Sequence, residues 1–257
     1  MALDLDGTSA IVTGGASGIG EAVSRHLAAR GATVVVVDLN DEKGSKVASD
    51  LGGAYVRADV ADPEAVQAAV DKAVELGPLR TLVCSAGVGA PQRTVGRDGP
   101  ADLDRFAWVL KTNTLGTFNC IRLAATAMAA TEPVNDDGER GAIVTMASIA
   151  AFDGQVGQAA YSASKGGIVG MTLPVARDLS SIGVRVNCVA PGLIDTPIYD
   201  HVPNPEDFKE HLKRDTLFPK RLGTSDELAR VVLELLTNSY LNGEVVRVDA
   251  GTRLQAK

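Results

Sequence analysis

The sequence has few aromatic residues, few cysteines and no long apolar segment. Aromatic residues make up 4% of its 257 positions. No run approaches the roughly 18 apolar residues that a membrane-spanning helix needs. The three cysteines, Cys84, Cys120 and Cys188, are odd in number and far apart, which argues against a disulfide framework. We therefore expect no membrane segment, three reduced thiols and a cytoplasmic location.

Clustered positive charge is also lacking. The 25 Lys and Arg residues are outnumbered by 32 Asp and Glu residues, and the net charge of −7 argues against nucleic acid as a main partner. The N-terminus, Met1–Gly7, has no basic segment and resembles neither a signal peptide nor a transit peptide. Zinc-site and hydrolase motifs are missing, and His26, His201 and His211 have no nucleophile at a suitable spacing. Neither a metal site nor a hydrolase triad is expected.

The sequence does have the pattern of a globular α/β protein, in which apolar β-branched runs alternate with helix-length segments. Strands are predicted at Ser9–Val12, Thr33–Val37, Ala54–Arg57, Arg80–Cys84, Ala142–Met146, Val184–Val189 and Glu244–Val248. Helices are predicted at Ser17–Arg30, Asp41–Leu51, Pro63–Leu76, Leu103–Ala130 (one or two helices), Tyr161–Ser180 and Ser225–Leu236, with a short piece at Glu206–Arg214. This alternation predicts a parallel sheet in one domain, residues 1–257, with a substrate loop at residues 193–224.

A glycine-rich turn, Thr13–Gly20, joins the first predicted strand to the first helix. Its essential glycines by spacing are Gly14, Gly18 and Gly20. Such glycines permit a tight turn, close approach of the backbone to a pyrophosphate and close helix–strand packing, and the helix N-terminus attracts phosphate. The alternative is a flexible turn without a ligand. Its place after the first strand favours a dinucleotide site.

An acidic residue ends the second predicted strand, where an adenosine ribose would lie. Asp38 lies 18 residues beyond Gly20, and its carboxylate suits the ribose hydroxyls. A 2′-phosphate about 4 Å away would be repelled by about 4 kcal/mol per unit charge at an effective dielectric of about 20, so NAD is favoured over NADP. The alternative for Asp38 is a turn or helix-cap residue. Asp59 and Val60 are weaker candidates for adenine contacts.

Tyr161 and Lys165 begin a long predicted helix at a spacing that places their side chains on one face. To act as a general base, a phenol with a pKa of about 10 must shift toward about 7–8, which takes about 3–4 kcal/mol. One ammonium at about 4 Å supplies an interaction of that size, so we expect Lys165 to lower the pKa of Tyr161. The alternative is an exposed tyrosine beside a solvated lysine.

Two further polar residues are candidates for the same site. Ser148 follows the fifth strand, at the sheet edge where ligands bind, and its hydroxyl suits a reacting oxygen beside the phenol. Asn113 stands in Lys111–Gly116, a cluster of poor helix formers that predicts a local helix distortion. The alternatives are a helix cap for Ser148 and a purely structural role for Asn113.

Together these features resemble the short-chain dehydrogenase/reductase family over essentially the whole length of the chain. The matching positions are Thr13–Gly20, Asp38, Asp59, Val60, Ala86, Gly87, Asn113, Ser148, Tyr161, Lys165, Asn187, Pro191, Gly192 and Thr196. The resemblance implies a Rossmann-type, doubly wound seven-stranded parallel sheet of order 3-2-1-4-5-6-7. One departure is Cys84-Ser85, which stands where the family usually has two asparagines and leaves a serine hydroxyl but no asparagine side chain.

The resemblance also implies roles for individual residues. Tyr161 would transfer the proton and Ser148 would orient the substrate oxygen, so both would contact substrate. Lys165 would lower the tyrosine pKa and hold the nicotinamide ribose, and Asn113 would anchor a water relay, completing a catalytic tetrad. The implied cofactor is NAD. Its implied contacts are Gly14, Ser17, Gly18, Ile19, Gly20, Asp38, Asp59, Val60, Ser85, Gly87, Tyr161, Lys165, Pro191, Ile194 and Thr196.

A narrower resemblance is to family members that act on 3-hydroxyacyl-CoA thioesters. It is carried by Leu115–Leu123, Ala151–Asp178 and Phe218–Gly223. It implies NAD-dependent interconversion of 3-hydroxyacyl-CoA and 3-ketoacyl-CoA in fatty acid metabolism, and a homotetramer. The alternatives are a 3-ketoacyl reductase, a steroid or alcohol dehydrogenase on the same scaffold, and a non-catalytic NAD-binding scaffold protein.

Overall fold

The structure, a computed structural model, describes residues 3–197 and 204–256. Its centre is a seven-stranded parallel sheet. The strands are β1 (Ser9–Thr13), β2 (Thr33–Asp38), β3 (Ala54–Arg57), β4 (Leu79–Cys84), β5 (Gly141–Met146), β6 (Val184–Pro191) and β7 (Val245–Val248). Their order across the sheet is β7-β6-β5-β4-β1-β2-β3, which confirms the order implied by the sequence.

Helices cover both faces of the sheet. They are α1 (Gly18–Ala28), α2 (Asp41–Leu51), α3 (Pro63–Leu76), α4 (Leu103–Leu110), α5 (Gly116–Ala129), α6 (Ala159–Ser180), α7 (Pro205–Leu212) and α8 (Ser225–Thr237). A π-helical turn, Lys111–Leu115, separates α4 from α5, so the distortion predicted around Asn113 is confirmed. Side-chain caps fix several helix starts; Asp62, for example, accepts hydrogen bonds from the first turn of α3.

Alternation along the strands divides the apolar residues between two cores. Val34 and Val36 of β2 join the core formed with α1 and α8. Val35 and Val37 join the core formed with α3, α5 and α6. Because successive strand side chains point to opposite faces, a run of valines supplies both cores.

The long loop at residues 193–224 is closed at its base. Ile194–Asp195 pairs in parallel with Gly223–Thr224, and this brings the two ends of the loop together. Between them, α7 occupies the predicted short helical piece and is followed by a 3₁₀ turn, Lys213–Asp215. Residues 198–203, including His201, lie outside the described residues.

Cys84, Cys120 and Cys188 are buried and free, as the sequence predicts. Across the described ranges, no helix is both long enough and apolar enough to cross a membrane.

Candidate active site

A cleft of about 620 Å³ opens at the carboxyl ends of the first strands of the sheet. This volume lies within the range of about 300–1,000 Å³ typical of ligand sites. The glycine turn forms one wall, and residues that follow β2, β3 and β4 form the others. The cleft therefore lies where strand order reverses between β1 and β4, the usual place for ligands in such sheets.

Two glycines of the turn, Gly14 and Gly20, meet backbone that leaves no room for a side chain. Gly14 has φ +64°, and a Cβ there would lie 2.8 Å from the backbone nitrogen of Ala86. A Cβ on Gly20 would lie 2.1 Å from the carbonyl oxygen of Gly14. The first turn of α1 has no side-chain cap, because Ser17 makes no capping hydrogen bond. Its N–H groups suit an anionic ligand, so these residues fit the pyrophosphate of a dinucleotide.

Asp38 lines the cleft beside the glycine turn. Its two carboxylate oxygens accept hydrogen bonds from the backbone nitrogens of Ala16 at 3.2 Å and Asn40 at 3.1 Å. Asp38 therefore stabilises the local turn, which was the alternative role considered from the sequence. Its carboxylate also borders the cleft. Lys43, in the first turn of α2, also lines the cleft. This lysine was not predicted from the sequence, although its place shortly after Asp38 was a usable signal.

A second cavity, of about 170 Å³, contains the candidate catalytic side chains Ser148, Tyr161 and Lys165. It adjoins the large cleft, because five residues line both. These shared residues are Ile19, Ser85, Gly87, Val88 and Thr196. A ligand that extends from the glycine turn through the shared residues therefore reaches the two hydroxyls and the ammonium.

Lys165 is buried, with 5% of its surface exposed. Its Nζ donates a hydrogen bond to the carbonyl oxygen of Met146, the last residue of β5, at 2.8 Å, and lies 5.7 Å from the centroid of the Tyr161 ring. Burial lowers the pKa of Lys165 from 10.5 to about 8. The ammonium is thus held between a strand end and the phenol, in surroundings that disfavour an uncompensated charge.

The pKa of Tyr161 is raised by burial, although a hydrogen bond from the Ser148 side chain acts in the opposite direction. The expectation that Lys165 lowers this pKa is therefore wrong for the protein without ligands. The ammonium lies over the ring and donates its hydrogen bond to the Met146 carbonyl, so it does not offset the loss of solvation at the hydroxyl. Further positive charge at the site is needed to bring the phenol into a useful range.

The side chain of Asn113 lies at the π-helical turn and braces the site from behind. Its Oδ1 accepts from the backbone nitrogen of Val88 at 2.8 Å, and its Nδ2 donates to the carbonyl of Val88 and the hydroxyl of Ser164, each at 2.9 Å. Its backbone carbonyl accepts a hydrogen bond from Thr117. Asn113 thus joins the segment after β4 to α6 at Ser164, which lies between Tyr161 and Lys165 in the sequence.

Most of the site residues predicted from the sequence lie at these two cavities. Those at the large cleft are Gly14, Ser17, Gly18, Ile19, Asp38, Asp59, Val60, Ser85, Gly87 and Thr196. Those at the smaller cavity include Ser148, Tyr161, Lys165, Pro191 and Ile194. Gly20 and Asn113 line neither; Gly20 supports Gly14, and Asn113 is fully buried. The carbonyl of Met146 was not predicted, because a backbone acceptor leaves no signal in the sequence.

Known proteins resemble this chain over most of its length. A family model described as enoyl-(acyl carrier protein) reductase matches residues 14–253. A relative from Drosophila melanogaster named 3-hydroxyacyl-CoA dehydrogenase type-2 is 46% identical over 249 residues, 95% of this chain and 96% of the relative. The relative of that name from Homo sapiens is 44% identical over 254 residues, 97% of this chain and 96% of the relative.

A crystal structure of 3-hydroxyacyl-CoA dehydrogenase type-2 from Mycobacterium avium matches with a TM-score of 0.93 and 47% identity, covering 98% of each chain. The chain belongs to the short-chain dehydrogenase/reductase family. This short-chain dehydrogenase/reductase is therefore an oxidoreductase, and its family implies a nicotinamide cofactor.

The buried ammonium predicts that Lys165→Met stabilises the protein without ligands at neutral pH. The pKa of Lys165 is about 8 in the folded protein and 10.5 in the unfolded protein. Between these pH values the unfolded state binds more protons, so the free energy of unfolding rises with pH. Below about pH 8, the buried charge lowers the free energy of unfolding of the wild type by about 3 kcal/mol. In Lys165→Met the Met146 carbonyl loses its donor, which costs about 1 kcal/mol, so the variant should be more stable by about 2 kcal/mol at pH 7.

Urea denaturation of the wild type and Lys165→Met at pH 7 and at about pH 11 measures this difference. The gain should be lost at the higher pH, where the lysine of the wild type is largely neutral in both states. Lys43→Met, which removes an exposed lysine, is the control and should change the free energy of unfolding little at either pH. A Lys165→Met protein less stable than the wild type at pH 7 would contradict the account.

Proposed function

We propose that the protein oxidises 3-hydroxyacyl-CoA thioesters to 3-ketoacyl-CoA thioesters with NAD⁺ and catalyses the reverse reduction. The observation that carries the proposal is the placement of Ser148, Tyr161 and Lys165 in one cavity that opens into the glycine-lined cleft. The substrate class rests on the relatives' names and on the shape of the neighbouring surface. In this function residues 1–257 act as one catalytic domain, with residues 193–224 as its substrate loop.

The proton chemistry is assigned to the side chains of the smaller cavity. Bound NAD⁺ supplies the hydride acceptor and a positive charge near the phenol. Tyr161 Oη removes the proton of the 3-hydroxyl, and Ser148 Oγ donates a hydrogen bond to the same oxygen. The Lys165 ammonium stabilises the phenolate and would hold the nicotinamide ribose. Pro191, Ile194 and Thr196 would border the nicotinamide, and Asn113 would anchor a water relay toward Lys165.

The outer surface beside the catalytic cavity suits a long thioester. A third cavity, of about 510 Å³, is lined by residues 92–95 and 154–159 together with Ser162. Ser162 follows Tyr161 directly, so consecutive residues of α6 face the two cavities. Arg93 lines the third cavity and offers a cation to the phosphates of CoA. These features favour an acyl-CoA over a compact steroid.

We further propose that the protein works as a homotetramer in the cytoplasm. Large apolar side chains are exposed on α4, the π-helical turn, α5 and α6; they are Leu103, Trp108, Leu115, Phe118 and Leu173. Exposed apolar residues on neighbouring helices favour association with further copies of the chain. Three buried free thiols are consistent with a reducing compartment.

The direct test is steady-state reduction of acetoacetyl-CoA with NADH by the wild type and Tyr161→Phe. Loss of the phenol oxygen removes the proton donor, so kcat should fall by about 10²–10⁴-fold. Binding of NADH, followed by fluorescence, should change less than about twofold because the ring remains. Tyr240→Phe, which removes the same atom from a side chain that is 98% exposed, is the matched control. Light scattering should give four chains for all three proteins.

Wild-type turnover by Tyr161→Phe would refute the assignment. The alternatives are separated in the same assays with longer acyl-CoA thioesters and a steroid panel. Faster turnover of a steroid than of every thioester would favour a steroid or alcohol dehydrogenase. Binding of NADH without turnover of any of these compounds would favour a scaffold protein.

Asp38→Ala should relax the preference for NAD over NADP. The carboxylate borders the cleft, and its removal takes away a repulsion of about 4 kcal/mol before screening, so the ratio of kcat/KM values should fall by at least about tenfold. Asp59→Ala is the control at the proposed adenine contact and should weaken both cofactors equally. An unchanged ratio in Asp38→Ala would place the ribose contact elsewhere.

A further inference from the structure

The segment between Ser148 and Tyr161 connects the two hydroxyls of the smaller cavity. After Ser148 comes a 3₁₀ turn, Ile149–Ala151, and then residues 152–158, which belong to no helix or strand before α6 begins. A segment of this kind has no ladder of backbone hydrogen bonds, so its position depends on contacts with neighbouring parts of the protein.

One guanidinium makes several of those contacts. Arg247 of β7 donates from Nη2 to Oδ2 of Asp153 at 2.8 Å and from Nε to Oδ2 of Asp249 at 2.8 Å. Its guanidinium also lies 5.1 Å from the centroid of the Phe152 ring. Both acceptor carboxylates are largely shielded from water, with 23% of the Asp153 side chain and 9% of the Asp249 side chain exposed. Such charge-assisted contacts are stronger than exposed surface pairs.

The same guanidinium also secures the C-terminal tail against the segment. Arg247 Nη2 donates to the carbonyl of Thr252 at 3.0 Å. Farther along, the carbonyl of Gln255 accepts from Nε2 of Gln155 at 3.0 Å, and the carbonyl of Ala256 accepts from the backbone nitrogen of Val156 at 3.1 Å. Residues 152–158 are therefore bonded to an edge strand and to the tail, with Arg247 contacting both.

We propose that Arg247, through Asp153 and Phe152, is a positioning residue that fixes the segment between Ser148 and Tyr161 and thereby the spacing of the two hydroxyls. The role rests on the proposed function, in which both hydroxyls act on one substrate oxygen. A displacement of about 1 Å at reacting groups can lower a rate by about 10²-fold. A planar guanidinium can bridge two carboxylates and a carbonyl at once, whereas an ammonium cannot match that geometry.

The test combines hydrogen exchange with kinetics on Arg247→Met, Arg247→Lys and Asp153→Asn. In Arg247→Met, peptides covering residues 152–158 should exchange faster, and those covering β1 and α1 should be unchanged. With acetoacetyl-CoA, kcat should fall about tenfold or more while the Kd of NADH changes less than about twofold. Arg247→Lys should recover part of the loss because it keeps one ion pair, and Asp153→Asn should reproduce most of it.

Arg253→Met is the matched control, since Arg253 is exposed and contacts Asp249 but neither Asp153 nor Phe152. It should leave exchange and kcat at wild-type values. Unchanged exchange and kcat in Arg247→Met would overturn the proposal. A lower Tm with wild-type kcat per NADH-binding site would also overturn it, because it would show a merely structural role. If the wild type turns over no thioester, the proposed function fails, and the exchange data still decide whether Arg247 fixes the segment.

Discussion

The burial of one ammonium group, that of Lys165, is the constraint on which the site depends. Its hydrogen bond to the carbonyl of Met146 attaches it to the end of β5. Within residues 3–197 and 204–256, no carboxylate forms an ion pair with it. A buried charge of this kind destabilises the folded protein without ligands, and it stabilises any negative charge that develops beside it. In the proposed function, the phenol of Tyr161 acquires such a charge, and the unfavourable burial of the ammonium is then relieved during proton transfer.

The sheet explains why these groups lie together. The glycine turn follows β1, Asp38 ends β2 and Ser148 comes shortly after β5, so parallel strands bring distant parts of the sequence to one edge. The helix that carries Tyr161 and Lys165 is fastened to the segment after β4 by the amide of Asn113. The π-helical turn gives that amide its position, and a local distortion of a helix thus contributes to the alignment of the site.

Much of this arrangement could be predicted because its signals are local. Valine runs identify the strands, the spacing of the glycines identifies the turn, and poor helix formers around Asn113 identify the distortion. The sequence could not reveal partners that come together only through the fold. Arg247 and Asp153 are far apart in the chain, and Met146 contributes a backbone carbonyl. The pKa of Tyr161 was misjudged because spacing shows that a lysine is near but not how strongly burial opposes ionisation.

The central proposal is that the ammonium of Lys165, together with the positive charge of bound NAD⁺, makes the phenol of Tyr161 usable as a base. It is tested most directly by the pH dependence of kcat for alcohol oxidation at saturating NAD⁺, measured for the wild type and Lys165→Met from about pH 6 to pH 10. The wild-type rate should rise with pH and level off below about pH 10, the pKa of a free phenol. In Lys165→Met the rise should move to higher pH. A flat wild-type profile, or the same profile in both proteins, would contradict the proposal.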